Sequence, residues 1–173
     1  MTPPDVRFEP HFLPSPGDLF NHLISSVTWD ERMKARKTAS FGVSYDYSQI
    51  SYEPAPMPGE LAAVAQRIGR LLGFMPNNCL LNYYQDGNSS MGFHSDLSEE
   101  LGAGTGVVIV SLGSVRSLVF RSKTDKAVEF DYPLPPGSLI YMTKDVQDHW
   151  LHAIPKKEGA GPRISLTFRS IVK

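Results

Sequence analysis

The sequence contains one cysteine, Cys79, among its 173 residues. A single cysteine cannot form an internal disulfide or a multi-cysteine metal site, and this usage is typical of a reducing cytosol. No apolar run approaches the roughly 20 residues that a bilayer-spanning helix needs. The first ten residues, MTPPDVRFEP, also lack the basic start and apolar stretch of a signal peptide. We therefore expect a cytoplasmic protein with no membrane partner, although nuclear or nucleoid association is also compatible with the sequence. We separately expect a monomer.

The sequence also lacks an excess of charge of either sign. Its 17 Lys and Arg balance 18 Asp and Glu, for a net charge of -1, so a nucleic acid could be bound only by a local basic patch. One such patch contains Arg32, Lys34, Arg36 and Lys37. Isolated runs of this size are more often solvated loops, and only proximity to an active site favours a functional role.

The length and the many glycines and prolines predict one domain, residues 1–173, that is mainly β with two or three flanking helices. Residues 6–12 predict a first strand, and Ser15 is a candidate cap for a first helix. Apolar residues at helical spacing predict a second helix over residues 59–72. Residues 38–52 predict a hairpin or extended flap.

From Cys79 onward, short apolar segments alternate with turn residues and show no helical pattern between them. The eight segments are 79–85, 91–95, 106–112, 115–121, 127–132, 137–142, 149–153 and 163–172. This spacing is typical of a β-sandwich or jelly roll. We place the jelly-roll core at about residues 79–173 and an N-terminal extension at about residues 1–78.

Two pairs of polar residues stand two positions apart in the stretch NYYQDGNSSMGFHSD. His94 and Asp96 project from the same side of an extended chain, so both could bind one metal ion, and Asn82 and Tyr84 repeat the spacing. With five histidines and ten aspartates in the chain, about 0.3 such His-x-Asp pairs are expected by chance. The pattern therefore needs support from elsewhere in the sequence.

The C-terminal third contains that support. His149 and His152 are three apart, so on a strand they point to opposite faces and only one of them can join His94 and Asp96. Arg163 and Arg169 are six apart, which places them on one face roughly 20 Å from each other. They could bind two ends of a small acid, or a ligand and a metal-site aspartate, or they could form two structural ion pairs.

The chain resembles the AlkB family of Fe(II)- and 2-oxoglutarate-dependent dioxygenases. The resemblance depends on NYY at 82–84, HSD at 94–96, HWLH at 149–152 and RISLTFR at 163–169. It is strong over residues 79–173 and weaker over residues 36–52. It implies a double-stranded β-helix with an N-terminal nucleotide-recognition lid. The expected activity is oxidative removal of N-alkyl lesions, such as 1-methyladenine and 3-methylcytosine, from DNA or RNA, with O2 as a further cosubstrate.

The resemblance also implies a role for each matching residue. His94, Asp96 and His152 would bind Fe(II). Arg163 and Tyr84 would hold the distal carboxylate of 2-oxoglutarate. Asn82 and Arg169 would hold the carboxylate beside its keto group, and Arg169 would also steady Asp96.

Two positions depart from the family pattern, and the lid contributes further candidates. Ser165 replaces an asparagine that helps hold the cosubstrate, and Ser98 replaces an acidic residue that recognises the alkylated base. The expected lid aromatics are Tyr45 and Tyr47, with Phe41 as a further candidate, unless these rings only cover a sheet. Arg36 and Lys37, directly upstream, would then contact phosphates.

Two other functions are compatible with parts of the pattern. A dioxygenase of the same chemistry could act on a protein side chain or a small molecule. A jelly-roll module that binds without turnover is disfavoured, because His94, Asp96, His152 and both C-terminal arginines are all present.

Overall fold

The computed structural model describes residues 2–47 and 49–172, which form two large antiparallel sheets and a two-stranded hairpin, flanked by helices. Residue 48 of the predicted flap lies outside the described residues. The strands are β1 (Val6–Glu9), β2 (Lys37–Gly42), β3 (Tyr45–Tyr47), β4 (Ile50–Tyr52), β5 (Asn78–Tyr84), β6 (Met91–His94), β7 (Val107–Gly113), β8 (Arg116–Ser122), β9 (Glu129–Leu134), β10 (Leu139–Met142), β11 (Trp150–Ile154) and β12 (Arg163–Arg169). The helices are α1 (Pro16–Ser26), α2 (Gly59–Leu72) and α3 (Lys144–His149).

The larger sheet has the strand order β1-β10-β7-β12-β5-β2, and the smaller sheet has the order β6-β11-β8-β9. Val107 and Ile109 of β7 pack between the two sheets with Phe120 of β8. Val108 and Val110 project from the other side of the larger sheet toward the helices. The larger sheet is therefore buried on both sides, which explains why its central strands are almost continuously apolar.

Helix α2 covers the outer side of the larger sheet. Its buried residues Leu61, Val64, Ala65 and Ile68 recur at intervals of three and four, so they form one apolar stripe. The helix ends at Gly73, whose φ of +83° is a left-handed conformation that favours glycine. The predicted bounds of this helix, 59–72, are confirmed.

Three local predictions are wrong. The helix α3 interrupts the predicted all-β C-terminal region, because Lys144–His149 is too short for a clear apolar period. Ser15 precedes α1 but makes no side-chain capping hydrogen bond. The predicted flap is divided: β2 joins the larger sheet beside β5, and only β3 and β4 form a separate hairpin.

The mainly β jelly roll is confirmed by this architecture. Among the described residues, no helix is long and apolar enough to cross a membrane. The arrangement brings the C-terminal half of β6 beside β11, where His94 and His152 are direct cross-strand partners.

Candidate metal centre

Three predicted ligands lie together at the end of the smaller sheet. The rings of His94 and His152 have centroids 4.3 Å apart, and Asp96 follows two residues after His94. Candidate ligand atoms of these three residues all lie within 4.8 Å of one another. Two imidazoles and one carboxylate on one side of a site match the ligand set of non-haem Fe(II) oxygenases.

His149 lies outside this cluster. Its side chain is 66% exposed, and its Nδ1 atom lies 3.0 Å from Oδ1 of Asp145. It is the last residue of α3 and does not belong to β11, so the two C-terminal histidines are separated by a change of secondary structure and not, as the odd spacing predicted, by alternation along one strand.

Both clustered histidines are held in the neutral form that metal binding requires. Burial lowers the pKa of His94, although its Nδ1 lies 2.9 Å from the carbonyl oxygen of Gly92. Burial, and secondarily the nearby His94, lowers the pKa of His152 to about 3. The Nδ1 atom of His152 is buried without a hydrogen-bond partner among the described residues. A divalent metal ion therefore fits this donor set.

A buried ion pair holds the third ligand. Arg169 Nε donates to Oδ2 of Asp96, and the two side chains are only 4% and 6% exposed. Burial raises the pKa of Asp96, but the Arg169 guanidinium more than offsets this, so the pKa lies below its ordinary value. The backbone N–H of Asp96 also donates to Oε1 of Gln147 over 2.8 Å. Asp96 is thus ionised and fixed from two directions.

The predicted cosubstrate residues line one narrow cavity beside the histidines. In the register of β5 and β12, Arg163 lies opposite Tyr84 and Ser165 lies opposite Asn82. The cavity is lined, among others, by Asn82, Tyr84, His94, His152, Arg163, Ser165 and Arg169. The apolar residues of β12 itself project to the helix side of the sheet; they are Ile164, Leu166 and Phe168.

The cavity contains buried guanidinium groups with unused donors. Arg163 donates from Nη2 to Ser111 Oγ over 2.9 Å. Its Nε and Nη1, together with Nη1 of Arg169, have no acceptor among the described residues. Buried donors without partners are unfavourable, and charged ones most of all, so an anion is the kind of ligand that would satisfy these donors.

Arg36 differs from its expected role. The residue is 6% exposed, and it donates from Nε to Asn82 Oδ1 over 2.8 Å. It also donates to the Ser90 carbonyl oxygen over 2.9 Å and to the hydroxyl of Tyr47. Because a guanidinium can only donate, it fixes the Asn82 oxygen toward itself and leaves the amide N–H2 free to donate to a ligand. In this conformation the Arg36 guanidinium is buried and bonded within the protein, so it does not face a phosphate at the surface.

The other substrate candidates occupy different places. Lys37 lies 2.9 Å from Glu31 in an ion pair. Phe41 is on β2 and packs with the core beneath the helices, apart from the β3–β4 hairpin. Ser98 donates to Asp148 over 2.8 Å.

Tyr45 and Tyr47 cover the metal cluster from the β3–β4 hairpin. The Tyr47 ring lies edge-on to His94 with centroids 6.4 Å apart, and Arg169 lies 4.7 Å from the Tyr45 ring centroid. Burial raises the pKa of Tyr47, whereas Arg36 partly offsets that rise. The hairpin therefore rests on both the metal ligands and the cavity arginines.

Two polar residues near the site were not predicted from the sequence. Gln147 contacts Asp96 from the unpredicted helix α3, and Arg116 lies fully buried next to Tyr84. The sequence does contain a signal for Arg116, because this arginine occupies a position of the predicted strand 115–121 that shares a face with apolar residues. Arginines are almost never fully buried without partners, so such a position predicts a buried polar contact.

Comparisons with known proteins agree with this site. A model of the 2OG-Fe(II) oxygenase superfamily matches residues 20–169. The DNA oxidative demethylase ALKBH2 of Homo sapiens is 32% identical over 148 residues, which cover 79% of this chain and 57% of the human protein. Alpha-ketoglutarate-dependent dioxygenase alkB homolog 3 of Mus musculus is 31% identical over 174 residues, with 88% and 60% covered. The chain thus spans between half and two thirds of the length of these relatives.

A viral relative and a solved structure extend the comparison over almost the whole chain. Protein R406 of Acanthamoeba polyphaga mimivirus is 31% identical over 170 residues, covering 89% of this chain and 88% of that protein. The structure of OsALKBH1 superposes with a TM-score of 0.74 over 98% of both chains at 16% identity. At that identity, the likeness is evidence for the fold alone.

The metal cluster predicts different effects for substitutions of Asp96 and His149. Asp96→Ala removes a buried ligand and should weaken Mn(II) binding by at least about tenfold. His149→Ala removes an exposed histidine and should leave the affinity within about twofold. Isothermal calorimetry of the purified variants measures both values. Equal losses would mean that His149, rather than His152, belongs to the site.

The metal-free protein should lose stability as the pH falls from about 6.5 toward 5. Below its ordinary pKa of 6.5, His152 takes up a proton in the unfolded chain, whereas the folded protein resists protonation until about pH 3. Each such histidine contributes at most about 1.4 kcal/mol per pH unit. Asp96 contributes only at lower pH, because its folded pKa is depressed.

Urea unfolding between pH 7 and pH 5 measures this slope. His152→Gln should flatten it, whereas His149→Gln, which changes an exposed side chain, should not. The idea fails if His152→Gln unfolds with the same pH dependence as the unchanged protein.

Proposed function

Because this chain belongs to the AlkB family within the 2OG-Fe(II) oxygenase superfamily, we propose that it oxidatively removes N-alkyl groups from nucleic-acid bases. The substrates would be lesions such as 1-methyladenine and 3-methylcytosine in DNA, or in RNA. The observation that best supports this proposal is the cluster of His94, Asp96 and His152 between the cavity with unpaired arginine donors and the tyrosine hairpin.

Fe(II), 2-oxoglutarate and O2 are the cofactor and cosubstrates that this family membership implies. When bound, they supply an oxidant: one oxygen atom enters succinate as CO2 is lost, and the other hydroxylates the N-methyl carbon, whose product splits into formaldehyde and the unmodified base. His94, Asp96 and His152 would hold the metal. Neutral imidazoles and an ionised carboxylate allow binding without prior loss of protons.

The cavity residues would orient the cosubstrate by its two carboxylates. The unused donors of Arg163, next to Tyr84, would hold the distal carboxylate. The free amide N–H2 of Asn82 and the remaining donor of Arg169 would hold the carboxylate nearer the metal. Ser165 lies on β12 between Arg163 and Arg169, opposite Asn82, and would face the cosubstrate from the cavity wall.

The tyrosine hairpin would hold the flipped base over the metal. In this conformation Tyr47 lies edge-on to His94, at 73° between ring planes. A base stacked between the two rings needs roughly 7 Å between them, twice a van der Waals contact. The 6.4 Å separation of the ring centroids is shorter. The hairpin must therefore rotate and move slightly outward when a base enters.

Phosphate contacts would come from residues other than Arg36. Lys34 is exposed in the same segment, and Arg32 is exposed although it is paired with Asp30. With a net charge of -1, the protein would bind the nucleic-acid backbone through this local patch, and the affinity would depend on salt.

A dioxygenase acting on a protein side chain or a small molecule is the alternative. It shares the metal cluster and the cavity and differs only in what the hairpin recognises. The alternative would be favoured if the protein formed succinate from 2-oxoglutarate but left every methylated oligonucleotide unchanged.

Mass spectrometry of a panel of oligonucleotides tests the proposal. Each single- or double-stranded DNA or RNA oligomer would contain one alkylated base and would be incubated with Fe(II), 2-oxoglutarate and O2. Loss of one methyl group, with release of formaldehyde, is the expected result on at least one member. No demethylation together with active succinate formation would contradict a nucleic-acid substrate.

Variants of Tyr47 test base recognition separately. Tyr47→Ala removes a stacking face that contributes roughly 1 to 3 kcal/mol, so repair should fall by about tenfold or more while the affinity for unmodified strand is largely kept. Tyr47→Phe keeps the ring and loses only the hydroxyl contact with Arg36, so it should retain most repair. Normal repair by Tyr47→Ala would remove this tyrosine from base recognition.

A further inference from the structure

Arg116 is a fully buried arginine outside the set of side chains that line the cavity. It is the first residue of β8 and points to the interior side of the smaller sheet, as Leu118 and Phe120 do. Its guanidinium carbon lies 5.4 Å from the ring centroid of Tyr84. Tyr84 therefore lies between Arg116 and the cavity. In the proposed function, Tyr84 helps to hold the distal carboxylate of 2-oxoglutarate.

Arg116 joins two loops through their backbone carbonyls. It donates from Nη2 to Ser89 over 2.8 Å and to Pro155 over 2.7 Å, and from Nη1 to Asp86 over 3.4 Å. Residues 86 and 89 connect β5, which contains Tyr84, to β6, which contains His94. Pro155 directly follows β11, which contains His152. One side chain thus fixes the ends of three strands that form the site.

The two loops approach so closely at one point that only glycine fits. A Cβ atom on Gly87 would lie 1.8 Å from the carbonyl oxygen of Lys157, and the Lys157 N–H donates to the Gly87 carbonyl over 2.9 Å. Arg116 therefore binds loops that are already packed backbone to backbone, and its position is well defined.

The charge of Arg116 is not neutralised by an ion pair. The guanidinium carbon of Arg163 lies 5.1 Å from the Tyr84 ring centroid, so two buried arginines share one phenol. Within residues 2–47 and 49–172, neither arginine has a carboxylate within ion-pairing distance. The Asp86 carboxylate is exposed and accepts a hydrogen bond from the N–H of Asn88 instead.

Two buried positive charges without a carboxylate are unfavourable in the free protein. Burial lowers the pKa of Arg163. The nearby Tyr84 partly offsets this lowering, and the positive charge of Arg116 lowers the pKa further. An anion that enters the cavity beside Arg163 would relieve the repulsion between the two guanidiniums. Both Nη atoms of Arg116 donate to carbonyls, and its Nε has no partner among the described residues. Because Arg116 does not line the cavity and Tyr84 does, this residue acts on the anion through its charge and through Tyr84.

We propose that Arg116 is a positioning residue that makes the cavity select 2-oxo acids with a second, distal carboxylate. The proposal rests on the cosubstrate site of the proposed function. Arg116 supplies the second positive charge at the distal end and holds Tyr84 at the distance where its hydroxyl and Arg163 can share one carboxylate. Monocarboxylic 2-oxo acids of the same length gain nothing from this charge.

Binding of two ligands to the Mn(II)-loaded protein tests the proposal without turnover. The ligands are 2-oxoglutarate and 2-oxopentanoate, which has the same five-carbon chain without the distal carboxylate. Calorimetry would compare the unchanged protein, Arg116→Met, Arg116→Lys and, as a control, Arg70→Met, which changes an exposed arginine on α2.

Arg116→Met should weaken 2-oxoglutarate binding by about tenfold and 2-oxopentanoate binding by less than about twofold. Arg116→Lys keeps a positive charge but loses the three carbonyl contacts. The preference of this variant for 2-oxoglutarate over 2-oxopentanoate should therefore lie between those of the unchanged protein and Arg116→Met. If Arg116→Met does not fold, Arg116→Lys provides the comparison with the unchanged protein. Arg70→Met should match the unchanged protein.

Equal weakening of both ligands would overturn the proposal, because it would reduce Arg116 to a structural support. Unchanged 2-oxoglutarate binding would overturn it too, as would an unchanged protein that does not prefer the dicarboxylate. The assay contains no nucleic acid, so its outcome is independent of whether methylated oligonucleotides are substrates.

Discussion

The buried ion pair between Arg169 and Asp96 is the interaction on which the rest of the site depends. Removing a carboxylate from water is so unfavourable that Asp96 would otherwise be neutral, and a neutral carboxyl group binds a metal poorly. Arg169 offsets this cost from the end of β12, and Gln147 holds the backbone of Asp96 from α3. A buried pair of this kind is weak evidence for stability but fixes one geometry.

The sheet architecture explains how so many polar groups reach one interior. Because β12 alternates, Ile164, Leu166 and Phe168 complete the core beneath the helices, while Arg163 and Arg169 line the space between the sheets. The partner strand β5 repeats this division with Asn82 and Tyr84. An interior with several unused buried donors is less stable than an apolar one, and binding of an anion would recover part of that loss.

Much of the site follows from the sequence because even spacing on a strand specifies a shared side. The pair Arg163/Arg169 on β12 needs only this rule, and Asp96 lies two residues after His94, just past the end of β6. His149 is outside the cluster, as predicted, but because it ends α3 and not because of its spacing from His152. Long-range contacts do not follow in this way. Arg36 occurs in a basic run that suggests solvent, yet it turns inward to Asn82, 46 residues away. Phe41 is an aromatic residue close in sequence to the lid tyrosines, but strand pairing with β5 places it in the core.

The dependence of metal affinity on pH tests the central role of Arg169 most directly. Arg169→Gln keeps a hydrogen-bond donor but removes the charge, so Asp96 should bind a proton at higher pH and release it when Mn(II) binds. Because one proton is released for each Mn(II) bound, the affinity of this variant for Mn(II) should fall by roughly tenfold per pH unit as the pH drops from 7.5 to 5.5. Arg163→Gln and the unchanged protein should show nearly constant affinity over the same range. Parallel curves for all three proteins would contradict the claim that Arg169 keeps the metal-binding carboxylate ionised.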